Sequence, residues 1–207
     1  MSEPIPSDLE PRRRPAAGRA RQTFERILDA TAALLDEVGF DAITTNLIAE
    51  RAEVNVASLY KYFPNKYAVL TALADQMRDL QLDLLADRLT GEGDWRNEIA
   101  QILDAYLELF VSRPGFAELA AVLSSSAPLR EIDEASLAAE ASAIAERLGA
   151  YGVEGTRADR DAIARVMLEA SRGVLPLARR AKPAARKRLM RELQRMLESY
   201  MAGYVEG

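Results

Sequence analysis

From Phe24 to Tyr204 apolar residues return at every third or fourth position, and no long run of alternating β-branched residues interrupts them. That rhythm lines apolar side chains along one stripe of a helix, whereas a half-buried strand alternates its faces every second residue. The chain is therefore expected to be all-α, cut into elements by glycine, proline and capping residues. Phe24, Ile27, Leu28, Leu34, Leu35 and Val38 share one face of a first helix that stops at Gly39. Thr44 or Thr45 caps a short second helix carrying Leu47, Ile48 and Ala52; Asn55 caps a third and Asn65 a fourth, the last with Val69, Leu70, Leu73, Met77 and Leu80. Asp94 caps a helix with Ile99, Ile102, Leu103, Tyr106 and Phe110. Pro114 with Gly115, Pro128, and Gly149 with Gly152 and Gly155 mark further breaks. Thr156 and Asp159 form a capping-box pattern before Ile163, Val166, Met167, Ala170, Val174 and Leu177, and Pro183 suits the first turn of a last helix. The count comes to about nine helices.

Composition narrows the chemistry. At 207 residues, 49% apolar and 29% charged, the chain is expected to be globular. It has no cysteine and no histidine, which excludes disulfides, thiolate ligands and the commonest general base, so no cofactor and no metal are expected. Gly91 and Gly93 do not continue into a phosphate-binding glycine pattern. Glu3, Asp8 and Glu10 interrupt any signal-peptide pattern and 18 apolar residues never occur in a row, so a cytoplasmic protein that does not enter the membrane is expected. The net charge of -5 has the wrong sign for a surface that binds nucleic acid everywhere. Between Arg12 and Lys66, however, nine basic side chains outnumber seven acidic ones.

Residues 1–19 hold four prolines, Gly18 and the run Arg12-Arg13-Arg14, without apolar periodicity, and read as a flexible basic arm. Such an arm either slips into an A·T-rich minor groove or merely solubilises the chain. The stretch from Thr44 to Phe63 has the lengths of a helix-turn-helix, two helices of about eight residues around a short turn. Leu47, Ile48, Ala52, Leu59 and Phe63 face inward, leaving Val56, Ala57, Ser58, Tyr60, Lys61 and Tyr62 partly free. An ordinary helical hairpin fits the same spacing.

Gly39-Phe40, Thr44-Thr45, Ile48-Ala49-Glu50-Arg51-Ala52, Leu59-Tyr60-Lys61-Tyr62-Phe63 and Pro64-Asn65-Lys66 together resemble the N-terminal pattern of the TetR family of bacterial regulators. The resemblance implies a helix-turn-helix domain over 20–66 that binds operator DNA, and a larger helical domain over 67–207 that dimerises through its last two helices and holds a small effector. By the same resemblance Thr45 matches a phosphate-touching position. Tyr60, Tyr62 and Lys66 match positions that touch the DNA backbone or brace the reading helix, and Val56, Ala57, Ser58 and Lys61 match positions where base contacts vary. Thr44, Asn55 and Arg12 to Arg14 complete the candidate DNA-binding set. Val56 and Ala57 are apolar where bidentate readers would otherwise stand, which suits thymine methyl groups or else simple packing. Glu53 occupies a turn position where the family commonly has glycine, and a non-glycine residue at positive φ costs about 1 kcal/mol or more.

For the effector pocket the candidates are Tyr106, Phe110, Phe116, Leu119, Leu123 and Met167, with Arg172 as a charged partner. For the homodimer they are Met167, Ala170, Gly173 and Val174 on one helix and Leu193, Met196, Leu197 and Tyr200 on the other, stripes that also suit packing within one chain. The function expected is a repressor released from a palindromic operator by a small molecule. The alternatives are an activator, a ligand-independent regulator, and a helical enzyme or adaptor.

Overall fold

The computed structural model describes residues 8–205; the part of the basic arm before Asp8 lies outside them. Nine α-helices and two single 3-10 turns make up the described residues, with no strand among them. They form two compact units. The first takes the chain up to Met77 together with Pro114–Glu134, and the second takes Arg78–Arg113 and Ala135 onward. A single cut at residue 67 does not anticipate the return of the segment after Pro114 to the first unit.

In the first unit, α1 (Gly18–Val38) buries Phe24, Ile27, Leu28, Leu34 and Leu35 as its periodicity requires. Val38 departs from that stripe and is 47% exposed, because the helix ends one residue later at Gly39 with φ 73° and the chain turns away. Thr31 is fully buried on the same face, and its hydroxyl is satisfied by donating to the Ile27 carbonyl at 2.8 Å. Helix α2 (Thr45–Arg51) is capped by Thr44, whose Oγ1 accepts from the Leu47 N–H at 3.2 Å. Helix α3 (Val56–Tyr60) is capped by Asn55, whose Oδ1 accepts from the Ala57 N–H at 2.8 Å. Five residues are too few for a helix to hold by itself. Helix α3 is held by its neighbours, since Leu59 and Phe63 are both fully buried, each contributing about 2 kcal/mol of burial. Helix α4 (Lys66–Arg88) starts beside Asn65, whose Oδ1 accepts from the Ala68 N–H at 3.0 Å.

Helix α6 (Phe116–Ser125) packs against α1. Gly115, at its start, has φ 70°, and a Cβ there would lie 2.4 Å from the carbonyl oxygen of Ala32. Only glycine permits this approach.

The second unit is built on α5 (Trp95–Ser112), α7 (Arg130–Ala150, whose first residues fall in the first unit), α8 (Arg157–Arg180) and α9 (Pro183–Val205). Helices α5, α8 and α9 pack on one another. Asp94 caps α5, and Thr156 with Asp159 closes the expected capping box on α8. Pro183 begins α9 as the sequence suggests. Pro176 lies within α8, where it donates no backbone hydrogen bond, yet the helix continues to Arg180.

Candidate nucleic-acid interface and core cavity

The turn between α2 and α3 is shaped by Glu53, whose φ of 53° makes it the one non-glycine among the described residues at positive φ. The turn is closed by the Val54 N–H donating to the Ala49 carbonyl at 3.0 Å. With the helices so joined, Ile48, Ala49 and Ala52 from the first and Leu59 from the second are buried, while Leu47 is only half-buried. What remains outward on α3 is Ala57, Tyr60 and Lys61, with Val56 and Ser58 half-buried beside them.

Two expected contact residues are internal braces. Lys66 Nζ donates to the Ile43 carbonyl at 3.1 Å and sits 4.4 Å from the centre of the Phe40 ring. Tyr62 is buried, its ring edge-on to Phe24 at 5.9 Å, so it is not partly free as the helical spacing suggested. The reason is geometric: α3 ends at Tyr60, and the chain beyond it turns inward toward Phe63. Thr45 Oγ1 and the Tyr60 hydroxyl share a hydrogen bond of 3.0 Å, which ties the first turn of α2 to the last residue of α3. Thr44 and Asn55 are exposed, with their side-chain oxygens engaged as caps.

From Arg12 onward the basic arm is docked on the first unit. The Arg12 backbone N–H donates to the Tyr62 carbonyl at 2.7 Å, and its guanidinium donates to the Tyr60 carbonyl at 2.9 Å. The Tyr60 carbonyl ends α3, where a cation complements the helix dipole, and the Tyr62 carbonyl lies just beyond it. Arg12 and Arg13 thereby join Ala57, Tyr60, Lys61 and Tyr62 around one open groove. Arg14 faces elsewhere, paired with Asp75 at 2.5 Å and Glu10 at 3.3 Å. Pro15 is buried. No pattern in the sequence links Arg12 to Tyr60 or Arg14 to Asp75, because neither pair shares an element.

The second unit holds a partly open, almost wholly apolar cavity of about 60 Å³. Of the residues expected there, Tyr106 and Met167 line it. Phe110 and Arg172 do not, and Phe116, Leu119 and Leu123 are buried in α6, which belongs to the first unit. Apolar patterning marked all of these as core without saying which core. Leu85, Trp95 and Leu148 are among the lining residues that the pattern left unassigned, and Leu197, expected at the contact between copies, lines the cavity as well.

Two buried carboxylates stand in this unit. Glu140 accepts from the Tyr106 hydroxyl at 2.7 Å, and burial together with that carboxylate pushes the Tyr106 phenol well above its ordinary value. Glu98 accepts from the Thr90 N–H at 3.0 Å, the Thr90 hydroxyl at 2.7 Å, the Gly93 N–H at 3.2 Å and the Tyr151 hydroxyl. Burial raises the Glu98 carboxyl, but these donors outweigh it and hold the group below the usual carboxylate range. Among the described residues no cluster of His, Cys, Asp or Glu is arranged to hold a metal ion, and no helix is long and apolar enough to cross a membrane.

On the outer faces of α8 and α9 the expected dimer stripes divide. Met167, Leu193 and Leu197 are buried within the chain. Met196 is exposed, as are Val166, Leu177 and Tyr204, and Gly173 is open, with Ala170, Val174 and Tyr200 half-buried.

Residues 27–73 match the family model of bacterial regulatory proteins of the tetR family, and residues 94–201 match that of the tetracyclin repressor-like C-terminal domain. The transcriptional repressor KstR of Mycolicibacterium smegmatis is 39% identical over 69 residues, a third of each chain. The class A tetracycline repressor from transposon 1721 of Escherichia coli is 32% identical over 116 residues, 54% of this chain and 50% of that one. The similarity thus spans a third to a half of these relatives' length. A TetR-family regulator from Streptomyces coelicolor superposes with a TM-score of 0.70 and 29% identity, covering 88% of this chain and 99% of that one. With family models matched at both ends, the second over 94–201, and a TetR-family structure superposed on 88% of the chain, the chain belongs to the TetR family of bacterial regulatory proteins.

Proposed function

We propose that the protein is a homodimeric transcriptional repressor of the cytoplasm that holds a palindromic operator and leaves it when a small molecule fills the core cavity. The observation that carries this reading is the groove beside α3, where the exposed Ala57, Tyr60 and Lys61 lie with Arg12 and Arg13 around one concave, cationic surface. Cationic side chains there meet phosphates and supply salt-dependent affinity, while the outward positions of α3 meet base edges in the major groove. Val56 and Ala57 contact thymine methyl groups, Ser58 and Lys61 read beside them, and Thr44, Thr45 and Asn55 approach the backbone. Tyr62 and Lys66 act from behind, holding the angle of α3.

Two half-sites one helical turn apart need two copies of α3 on one frame. The exposed stripe of Val166, Leu177, Met196 and Tyr204, interleaved with Ala170, Gly173, Val174 and Tyr200, supplies a face for a four-helix contact between copies. Effector release requires tighter binding to the conformation that does not hold DNA. The test is selection from random duplexes followed by titration of the recovered site: a palindrome bound by two chains is the expected result, and failure to enrich any sequence refutes the reading.

A further inference from the structure

The densest positive charge of the chain lies outside the helix-turn-helix. From Arg172 to Arg191, across the end of α8 and the start of α9, eight basic side chains occur with no acidic one, whereas the rest of the chain holds 19 basic and 32 acidic residues. One of the eight is used inside the fold. The Arg186 guanidinium donates to the Ala178 and Arg179 carbonyls, each at 3.0 Å, and so caps α8 from the first turn of α9. Others face outward. Arg180, Lys182, Lys187 and Arg188 are exposed and have no acidic partner among the described residues, and the exposed Arg191 has Glu192 at 3.8 Å. Lys187 and Arg191 stand one helical turn apart on α9, a spacing at which like charges repel and oppose folding. A polyanion bound over the turn would relieve that repulsion.

The make-up of the patch selects among polyanions. Between Arg180 and Arg188 the other exposed residues are Pro183 and Ala184. A basic helix that settles on lipid needs large apolar side chains beside its cations, and a folded acidic partner needs apolar or aromatic anchors at the centre of the contact. The turn offers neither. A phosphate backbone needs only charge and guanidinium forks. Within the second unit, the α4–α5 and α7–α8 turns meet at one end, where the Tyr151 hydroxyl accepts from the Gly91 N–H at 2.9 Å and donates to Glu98. Helix α8 starts at that end and runs for 24 residues, so the cationic turn stands at the other end of the unit, that of Arg113 and Ala135. We infer that the α8–α9 turn is a second phosphate-binding surface for duplex DNA, which grips the backbone by charge and reads no bases. It rests on the reading of the chain as a DNA-binding protein and adds to the groove beside α3 a surface on the other unit.

The chain has four lysines, Lys61 on the outward side of the helix-turn-helix, the brace Lys66, and Lys182 and Lys187 at the α8–α9 turn, so one acetylation experiment reads both surfaces. The full chain, free and saturated at low salt with duplex DNA of selected or mixed sequence, is treated with an amine-acetylating reagent, and each lysine is followed by mass spectrometry. Loss of reactivity at Lys182 and Lys187 as well as at Lys61 is the expected result. Protection of Lys61 alone overturns the second surface and leaves the groove beside α3 standing. Protection of Lys182 and Lys187 without Lys61 does the reverse, and protection of neither overturns both. Stronger protection of the two lysines by phosphatidylglycerol vesicles or polyglutamate than by duplex, at equal ionic strength, overturns the assignment to DNA. Arg180→Ala combined with Arg188→Ala changes exposed positions only, and it should weaken duplex binding roughly tenfold and flatten the slope of log affinity against log salt by about two units, with sequence preference retained. The paired Arg→Lys changes should restore the slope. A slope unchanged by the alanine pair overturns the inference.

Discussion

The guanidinium of Arg12 donates to the main-chain carbonyl of Tyr60 at 2.9 Å, so a residue of the N-terminal arm closes the last turn of the five-residue helix α3. On the proposed reading, Arg12 acts on DNA binding through this contact as well as through its charge. Arg12→Ala is expected to weaken operator binding by about 1 kcal/mol, roughly fivefold. Arg12→Lys should recover the charge but only part of the loss, because an ammonium cannot reproduce the guanidinium fork. Fluorescence anisotropy across a salt series separates the two contributions: a lost phosphate contact flattens the slope, and a lost brace lowers affinity at every salt concentration.

Val56 and Ala57 begin α3 with side chains that have no hydrogen-bonding groups. Replacing thymine by uracil at the facing position of each half-site should cost about 1 kcal/mol per half-site if methyl contact is the readout. Unchanged affinity for the uracil operator would show that these residues only pack.

Glu53 holds φ at 53° without the conformational freedom of glycine. Glu53→Gly exchanges that strain for a more flexible unfolded chain, and the balance favours the variant by about 0.5 kcal/mol. Thermal unfolding should shift upward by one to a few degrees, roughly. A clear drop would mean that the Glu53 carboxylate makes a stabilising contact of its own.

The donors around Glu98 lower its carboxyl in the folded state, so the unfolded chain takes up the proton first. The stability this group contributes is present above the ordinary carboxylate range, near pH 4, and is lost as pH falls through the lower folded value. Glu98→Gln should lose about 1–3 kcal/mol at neutral pH, since the amide turns a donor toward Thr90 or Gly93. It should also flatten the acid limb of the stability profile, which urea titrations between pH 3 and pH 7, roughly spanning the carboxylate range, would measure.

Met196 and Leu177 are 46% and 56% exposed on the outer faces of α9 and α8. Met196→Glu and Leu177→Glu should therefore fold as single chains but fail to pair. Sedimentation should report monomers, and operator affinity should fall by about a hundredfold or more, since binding both half-sites on one frame is lost.

The local signals in this sequence were strong where chemistry acts over a few residues. Thr44, Asn55, Asp94 and the Thr156–Asp159 pair cap helices as their positions suggest, because each bonds to backbone two or three residues away. The apolar stripe of α1 was legible up to its last turn, where position relative to Gly39 rather than periodicity decides the fate of Val38. Tyr62 is buried where the helical spacing leaves it partly free, because α3 is shorter than its pattern. A 3.6-residue count carried past Tyr60 places Tyr62 on the wrong side. The cavity was the least legible part. Phe116, Leu119 and Tyr106 look alike in a hydrophobicity profile, and only the return of α6 to α1 separates them. The partners Glu98–Tyr151 and Tyr106–Glu140 are 53 and 34 residues apart, beyond any spacing rule.

Gly115 carries a warning for genetics. Any side chain there would press into the Ala32 backbone, so, on the proposed repressor function, random mutagenesis scored by loss of repression should return changes at this position alongside those in α3. Such alleles will mimic defective operator recognition while the reading surface itself is intact. Measuring how much folded protein each allele leaves in the cell distinguishes a missing repressor from one that has lost its grip on DNA.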